Sequence, residues 1–153
     1  MSTPLVFFVI AVKDLIEKDH SSFSKRDTNQ NSALMICLKK KKMGFVDMLL
    51  ASSKTNVNIE DVSGNNAATY ALKNDMIDCL KKILARNDLS MNHKNKDGQT
   101  LLSIAMEKKE LDVIRTILEK HDVDLDYVEE RLLFAISKDM DEVAEILGEF
   151  PNI

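Results

Sequence analysis

The sequence predicts an all-α repeat solenoid of stacked helix pairs with projecting β-turn or hairpin arms. Three observations carry this. A shift of 34 residues brings apolar positions into register through most of the 153-residue chain. Within each period the second apolar run is spaced i, i+1, i+4, i+5, which places its members on one face of a helix. Between periods the pattern changes to apolar/polar alternation followed by Asx and Gly residues, as an extended limb and a turn require. With only four Gly, two Pro and no Trp, little material is left for a loop-rich enzyme or an all-β fold built on tight turns.

The elements follow in chain order. Residues 3–26 read as an N-terminal capping helix and arm, because Thr3-Pro4 offers an N-cap with Pro at the first helical position and Ala11, Val12, Leu15 and Ile16 join the second-helix columns. Residues 27–60, 61–94 and 95–128 read as three full repeats. Their first helices share the columns Ala33/Ala67/Leu101, Leu34/Ala68/Leu102, Cys37/Ala71/Ala105 and Leu38/Leu72/Met106. Their second helices share Met43/Ile77/Leu111, Phe45/Cys79/Val113, Val46/Leu80/Ile114, Leu49/Ile83/Ile117 and Leu50/Leu84/Leu118. The arms are Thr55 to Ile59, Leu89 to Asn92 and Val123 to Asp126, each alternating as extended backbone does. The turns are Asp27-Thr28-Asn29-Gln30, Asp61-Val62-Ser63-Gly64 and Asn95-Lys96-Asp97-Gly98. Gly64 and Gly98 take positive φ freely, whereas Gln30 in the same place implies a strained or differently shaped first turn. Residues 129–153 read as a shortened capping repeat, since Ala135, Val143, Ala144 and Leu147 align with Ala105, Val113, Ile114 and Ile117 only at an offset of 30. A terminal unit has no neighbour beyond it and needs no projecting turn.

This combination of helix, helix, arm and Asp-x-x-Gly turn resembles the ankyrin repeat. The stretch Asp97-Gly98-Gln99-Thr100-Leu101-Leu102-Ser103-Ile104-Ala105 is most similar to the family pattern Gly-x-Thr-Pro-Leu-His-x-Ala, keeping Gly98, Thr100, Leu102 and Ala105. Leu101 stands for its Pro and Ser103 for its His. The preceding unit keeps only Gly64 and Ala71, while Leu49-Leu50, Ile83-Leu84 and Ile117-Leu118 resemble the apolar pair that closes the family's second helix. The rival at this period, the tetratricopeptide repeat, is nearly all helical; Asn87 to Thr100 would break a helix needed there.

Chemistry for catalysis is not legible. The sequence contains no P-loop, no Gly-x-Gly-x-x-Gly, no His-Glu-x-x-His and no Cys/His cluster, so no catalytic residue, cofactor or metal is assigned. Cys37 and Cys79 lie in apolar helical stretches and read as buried core thiols of an intracellular protein, cytoplasmic rather than nuclear. Asp139, Asp141, Glu142, Glu145 and Glu149 read as a solvated acidic face. His20 and His121 end helices, and His93 reads as partly packed in an arm column with Ile59 and Tyr127. The run Leu5 to Val12 is too short to span a bilayer. Leu5 to Ile10 is apolar on every side, so it is expected either to self-associate or to meet an upstream unit of a larger protein.

The function implied by the resemblance is that of a non-catalytic protein–protein interaction scaffold. Its partner would meet the turn tips and the concave groove through which ankyrin repeats usually grip proteins. Tip contacts would come from Thr28, Asn29, Asn31, Val62, Ser63, Asn65, Lys96, Asp97 and Gln99. In the first-helix columns Lys39, Lys73 and Glu107 align, as do Lys40, Asn74 and Lys108, which would ladder lysines along that groove and favour an acidic protein or peptide. The run Lys39-Lys40-Lys41-Lys42 also admits a plain solvated helix end or a nuclear localisation signal, although the latter needs an accessible extended segment. A basic-groove nucleic-acid or polyanion binder is the alternative function. Against it, the 21 Lys/Arg and 25 Asp/Glu sum to −4, and the lysines lack interleaved aromatics. The charge is polarised: residues 1–60 carry nine basic and six acidic side chains, +3, and residues 61–153 carry twelve and nineteen, −7.

Overall fold

The computed structural model describes residues 26–120 and 122–150. Among these residues the chain forms eight helices and no strand: α1 Ala33–Lys39, α2 Met43–Ala51, α3 Ala67–Lys73, α4 Ile77–Leu84, α5 Leu101–Lys108, α6 Leu111–Leu118, α7 Leu125–Ser137 and α8 Asp141–Glu149. The expected capping helix with its Leu5 to Ile10 segment, His20 and His121 lie outside the described residues.

Each first helix starts on a side-chain cap. Ser32, Asn66 and Thr100 accept hydrogen bonds from the backbone N–H groups of Met35, Thr69 and Ser103, satisfying donors that the first helical turn leaves open. Every pair then reverses through the same tight turn. Lys42, Met76, Glu110 and Met140 donate their backbone N–H to the carbonyls of Cys37, Ala71, Ala105 and Ala135, five residues back. Lys41, Asp75, Lys109 and Asp139, one residue earlier, take left-handed φ values of 55°, 58°, 56° and 54°. This is the helix-ending motif in which glycine is the usual occupant.

One hydrophobic cluster runs through all four pairs. First helices stack α1 on α3 and α3 on α5; second helices stack α2, α4, α6 and α8 in series. Ala67, Ala68 and Ala71 are fully buried on α3, and their small size lets neighbouring backbones approach. Arg86, just beyond α4, ties two pairs together: its guanidinium donates to the carbonyls of Leu50, Ser52 and Thr55 at 2.9–3.0 Å and forks onto the Asp88 carboxylate at 2.6 and 2.9 Å. The arms are braced by asparagines and form no ladder. Asn58 donates to the Asp88 carbonyl at 2.7 Å and accepts from the Ser90 N–H at 2.8 Å, and Asn92 does the same to the Asp122 carbonyl and the Asp124 N–H.

One expectation narrows to one of its two branches, and one changes. The first turn is strained, as Gln30 implies, but not differently shaped: Gln30 adopts φ 63°, close to 75° at Gly64 and 74° at Gly98. The third arm is not extended beyond Asp124, because α7 starts at Leu125 with Asp124 as its cap. Glu129-Glu130-Arg131-Leu132 occupies the place of Asn95-Lys96-Asp97-Gly98, and without an Asx or Gly nothing there stops a helix.

Candidate functional site

The three turns before α1, α3 and α5 are built alike from one Asx each: Asp27 is exposed, Asp61 half-buried and Asn95 buried. The Asp27 carboxylate accepts from the N–H groups of Asn29 and Asn31 at 2.9 and 2.8 Å. Asp61 accepts from Ser63 and Asn65 at 2.9 and 3.0 Å, and Asn95 from Asp97 and Gln99 at 3.0 and 2.9 Å. The Asn31 side-chain amide, with the backbone N–H groups of Asn31 and Asn29, holds the Asp27 carboxyl below its ordinary range. Adjacent tips also bond directly: the Val62 N–H donates to the Asn29 carbonyl at 3.3 Å and the Lys96 N–H to the Ser63 carbonyl at 3.1 Å. The result is a row of braced tips whose outward side chains make no bond with one another or with the core among the described residues. Thr28, Asn29, Ser63, Lys96 and Asp97 are exposed, and Val62 is 51% exposed.

Asn31 and Asn65, expected among the outward tip residues, are 5% and 8% exposed and point into this bracing. Asn95 donates to Asn65 at 3.0 Å and to Gln99 at 3.0 Å, so Gln99 is also partly committed. The lysine columns are likewise drawn into the array. Lys39 donates to Asn31 at 2.6 Å, pairs with Asp61 at 3.5 Å and lies 5.1 Å from the Tyr70 ring centroid. Lys73 reaches Gln99 at 3.3 Å, Lys108 pairs with Asp75 at 2.7 Å, and Asn74 donates to the Tyr70 carbonyl at 2.9 Å. Glu107 and Lys40 are exposed. The columns therefore exist, but as inter-unit ties in which only Lys40, of the four lysines, makes no side-chain bond among the described residues. Sequence reasoning missed Asp61 and Tyr70 as the partners of Lys39, because they stand 22 and 31 residues away at no repeat interval.

Cys37 and Cys79 are buried free thiols. Burial pushes the Cys37 thiol up to about 11 and raises Cys79 as well, which keeps both protonated near neutral pH and poor as nucleophiles. Asp139, Asp141, Glu142, Glu145 and Glu149 are all exposed. His93 sits 2.7 Å from the Gly64 carbonyl and 3.0 Å from Glu60. Among the described residues no group of His, Cys, Asp and Glu is arranged to hold a metal ion, and no helix is long and apolar enough to cross a membrane.

Stacked helix pairs, a continuous core and a row of braced tips define a helical-repeat solenoid. The chain belongs to the ankyrin-repeat family: the family described as ankyrin repeats, three copies, matches residues 8–93. The matched span ends before α5, and the structure continues the stack through two further pairs. No curated protein and no solved structure matches the chain. Ankyrin repeats are generally protein–protein interaction modules and typically non-catalytic scaffolds.

Proposed function

We propose that this protein binds a protein partner through its turn tips and the adjoining face of the first helices, as a scaffold without catalytic chemistry of its own. Thr28, Asn29, Val62, Ser63, Lys96 and Asp97 supply the tip contacts, and Lys39, Lys40, Lys73, Asn74, Glu107 and Lys108 the helix-face contacts. Asn31, Asn65 and Gln99 position the tips. One observation carries this reading: the tip backbones are pinned by Asx bonds while their side chains, Val62 above all, face outward with no role in the fold. Pre-organised backbone lowers the entropy lost on binding. Exposed lysines beside it select an acidic surface more than they add affinity.

The test compares proteins captured by wild type with those captured by Val62→Glu and by Lys96→Glu, using Lys81→Glu on α4 as a surface control. Partners retained by wild type and the control but lost from the tip variants are expected. An identical set from all four, with circular dichroism unchanged, would remove the tips from the binding surface.

A further inference from the structure

A cleft of about 460 Å³ opens at the opposite end of the first helices from the tips, between the first two pairs. Its size falls in the range of about 300–1,000 Å³ typical of ligand pockets. Leu38, Met43, Tyr70, Met76 and Ile77 give it an apolar lining, and Lys39 and Lys41 stand on its rim. Asp75 and Asp78 line the far side, where Asp75 is already paired with Lys108 at 2.7 Å. Lys40, Lys41 and Lys42 are exposed in the turn between α1 and α2, Lys41 alone of the three lining the cleft, and their side chains make no ion pair or hydrogen bond among the described residues.

The second helices differ at this point. A helix start carries partial positive charge and is stabilised by acidic residues in its first turn. Helices α4, α6 and α8 have them: Asp78, Asp112, and Asp141 with Glu142. Helix α2 has none; Lys42 is its N-cap residue with no side-chain cap, and Gly44 stands where Asp78 and Asp112 stand. Among the described residues, positive charge from three lysines and from a helix start is therefore left without an acidic side chain of its own, beside a cleft whose lining is part apolar and part charged.

We propose that this cleft takes an acidic linear segment of a protein partner, with an apolar side chain entering between Met43 and Met76 and its carboxylates meeting Lys40, Lys41, Lys42 and the start of α2. The proposal rests on the binding-module reading and shares Lys39, Lys40 and Asn74 with its helix-face contacts, but the cleft lies off the turn tips, so Val62→Glu, which alters the tips alone, tells failure of one from failure of the other.

The probe is a fluorescein-labelled peptide of Asp and Glu residues around a central Phe-Leu pair, titrated into the full chain and followed by anisotropy. It is expected to bind, to lose at least tenfold in affinity with Lys40→Glu/Lys41→Glu/Lys42→Glu, and to weaken with added salt. Gly44→Asp restores the missing acid at a position where a Cβ meets nothing within 4 Å. That variant is expected to weaken binding severalfold without lowering the melting temperature, which keeps the test independent of folding. In ¹³C-methyl methionine spectra the peptide is expected to shift Met43 and Met76 and leave Met140 unmoved, and Val62→Glu is expected to bind it as wild type does. No binding overturns the proposal, as do shifts away from Met43 and Met76 or loss of binding in Val62→Glu. Equal affinity for a peptide with Ser-Ser in place of Phe-Leu, or for polyuridylate, overturns it too, because charge alone would then account for the attraction.

Discussion

At the N-terminal ends of α1, α3 and α5, Asp27, Asp61 and Asn95 hold a turn by accepting two backbone N–H groups apiece. At the C-terminal end, Lys41, Asp75, Lys109 and Asp139 make an equally tight turn with backbone bonds alone, and each sits in the left-handed region that glycine fills most easily. The difference shows where each row finds its stability. Tips are stabilised by side chains of their own and by the neighbouring tip, so they hold their shape while presenting variable outward residues. The inter-helix turns are stabilised by the helices they join, which lets charged residues occupy strained positions at some cost.

Several substitutions break or sharpen this comparison. The largest effect removes what both rows rest on. Ile114 is fully buried in the second-helix columns, and Ile114→Asp is expected to cost more than about 4 kcal/mol and unfold the stack cooperatively. Urea titration followed by circular dichroism checks this, and wild-type melting in a soluble variant would contradict the register. Next comes the tip row itself. Asn95→Ala removes two acceptor bonds to backbone N–H groups and two donor bonds, with an expected loss of about 2–3 kcal/mol by the same titration.

A finer contrast separates tip stacking from tip shape. A Cβ on Gly64 would lie 2.9 Å from the Lys96 backbone nitrogen, whereas one on Gly98 meets nothing within 4 Å. Gly64→Ala is therefore expected to cost about 2–3 kcal/mol and Gly98→Ala only about 1, the cost of a left-handed alanine. Equal losses would mean that adjacent tips are not packed together. The smallest change runs the other way: Lys109→Gly is expected to raise stability by about 0.5–1 kcal/mol by relieving the left-handed strain, read as a higher urea midpoint.

The helix pairs were legible because core columns repeat. Leu38/Leu72/Met106 and Val46/Leu80/Ile114 line one continuous cluster, as their register requires. Asp61-x-x-Gly64 and Asn95-x-x-Gly98 likewise announced their turns, since an Asx side chain and a positive φ are local properties. Val123 to Asp126 misled because alternation over four residues is a weak signal, and Asp124 serves as well for a helix cap as for an arm. Among candidate site residues the outward tips Val62, Ser63, Lys96 and Asp97 were readable from the turn motif. The separation of tied lysines from free ones was not.

The sequence by itself determined the period, the apolar columns and the family, because each depends on which residues recur at fixed spacing along the chain. Only the tertiary structure decided how the charges are used. Lys39 turns to Asp61, Lys82 to Asp47, Lys108 to Asp75 and Arg86 to carbonyls at and beyond the end of α2, across separations of 22 to 36 residues. Lys40, Lys41 and Lys42 find no such neighbour among the described residues. Ion pairing needs atoms within a few ångströms, and stacking, not spacing along the chain, brings them there.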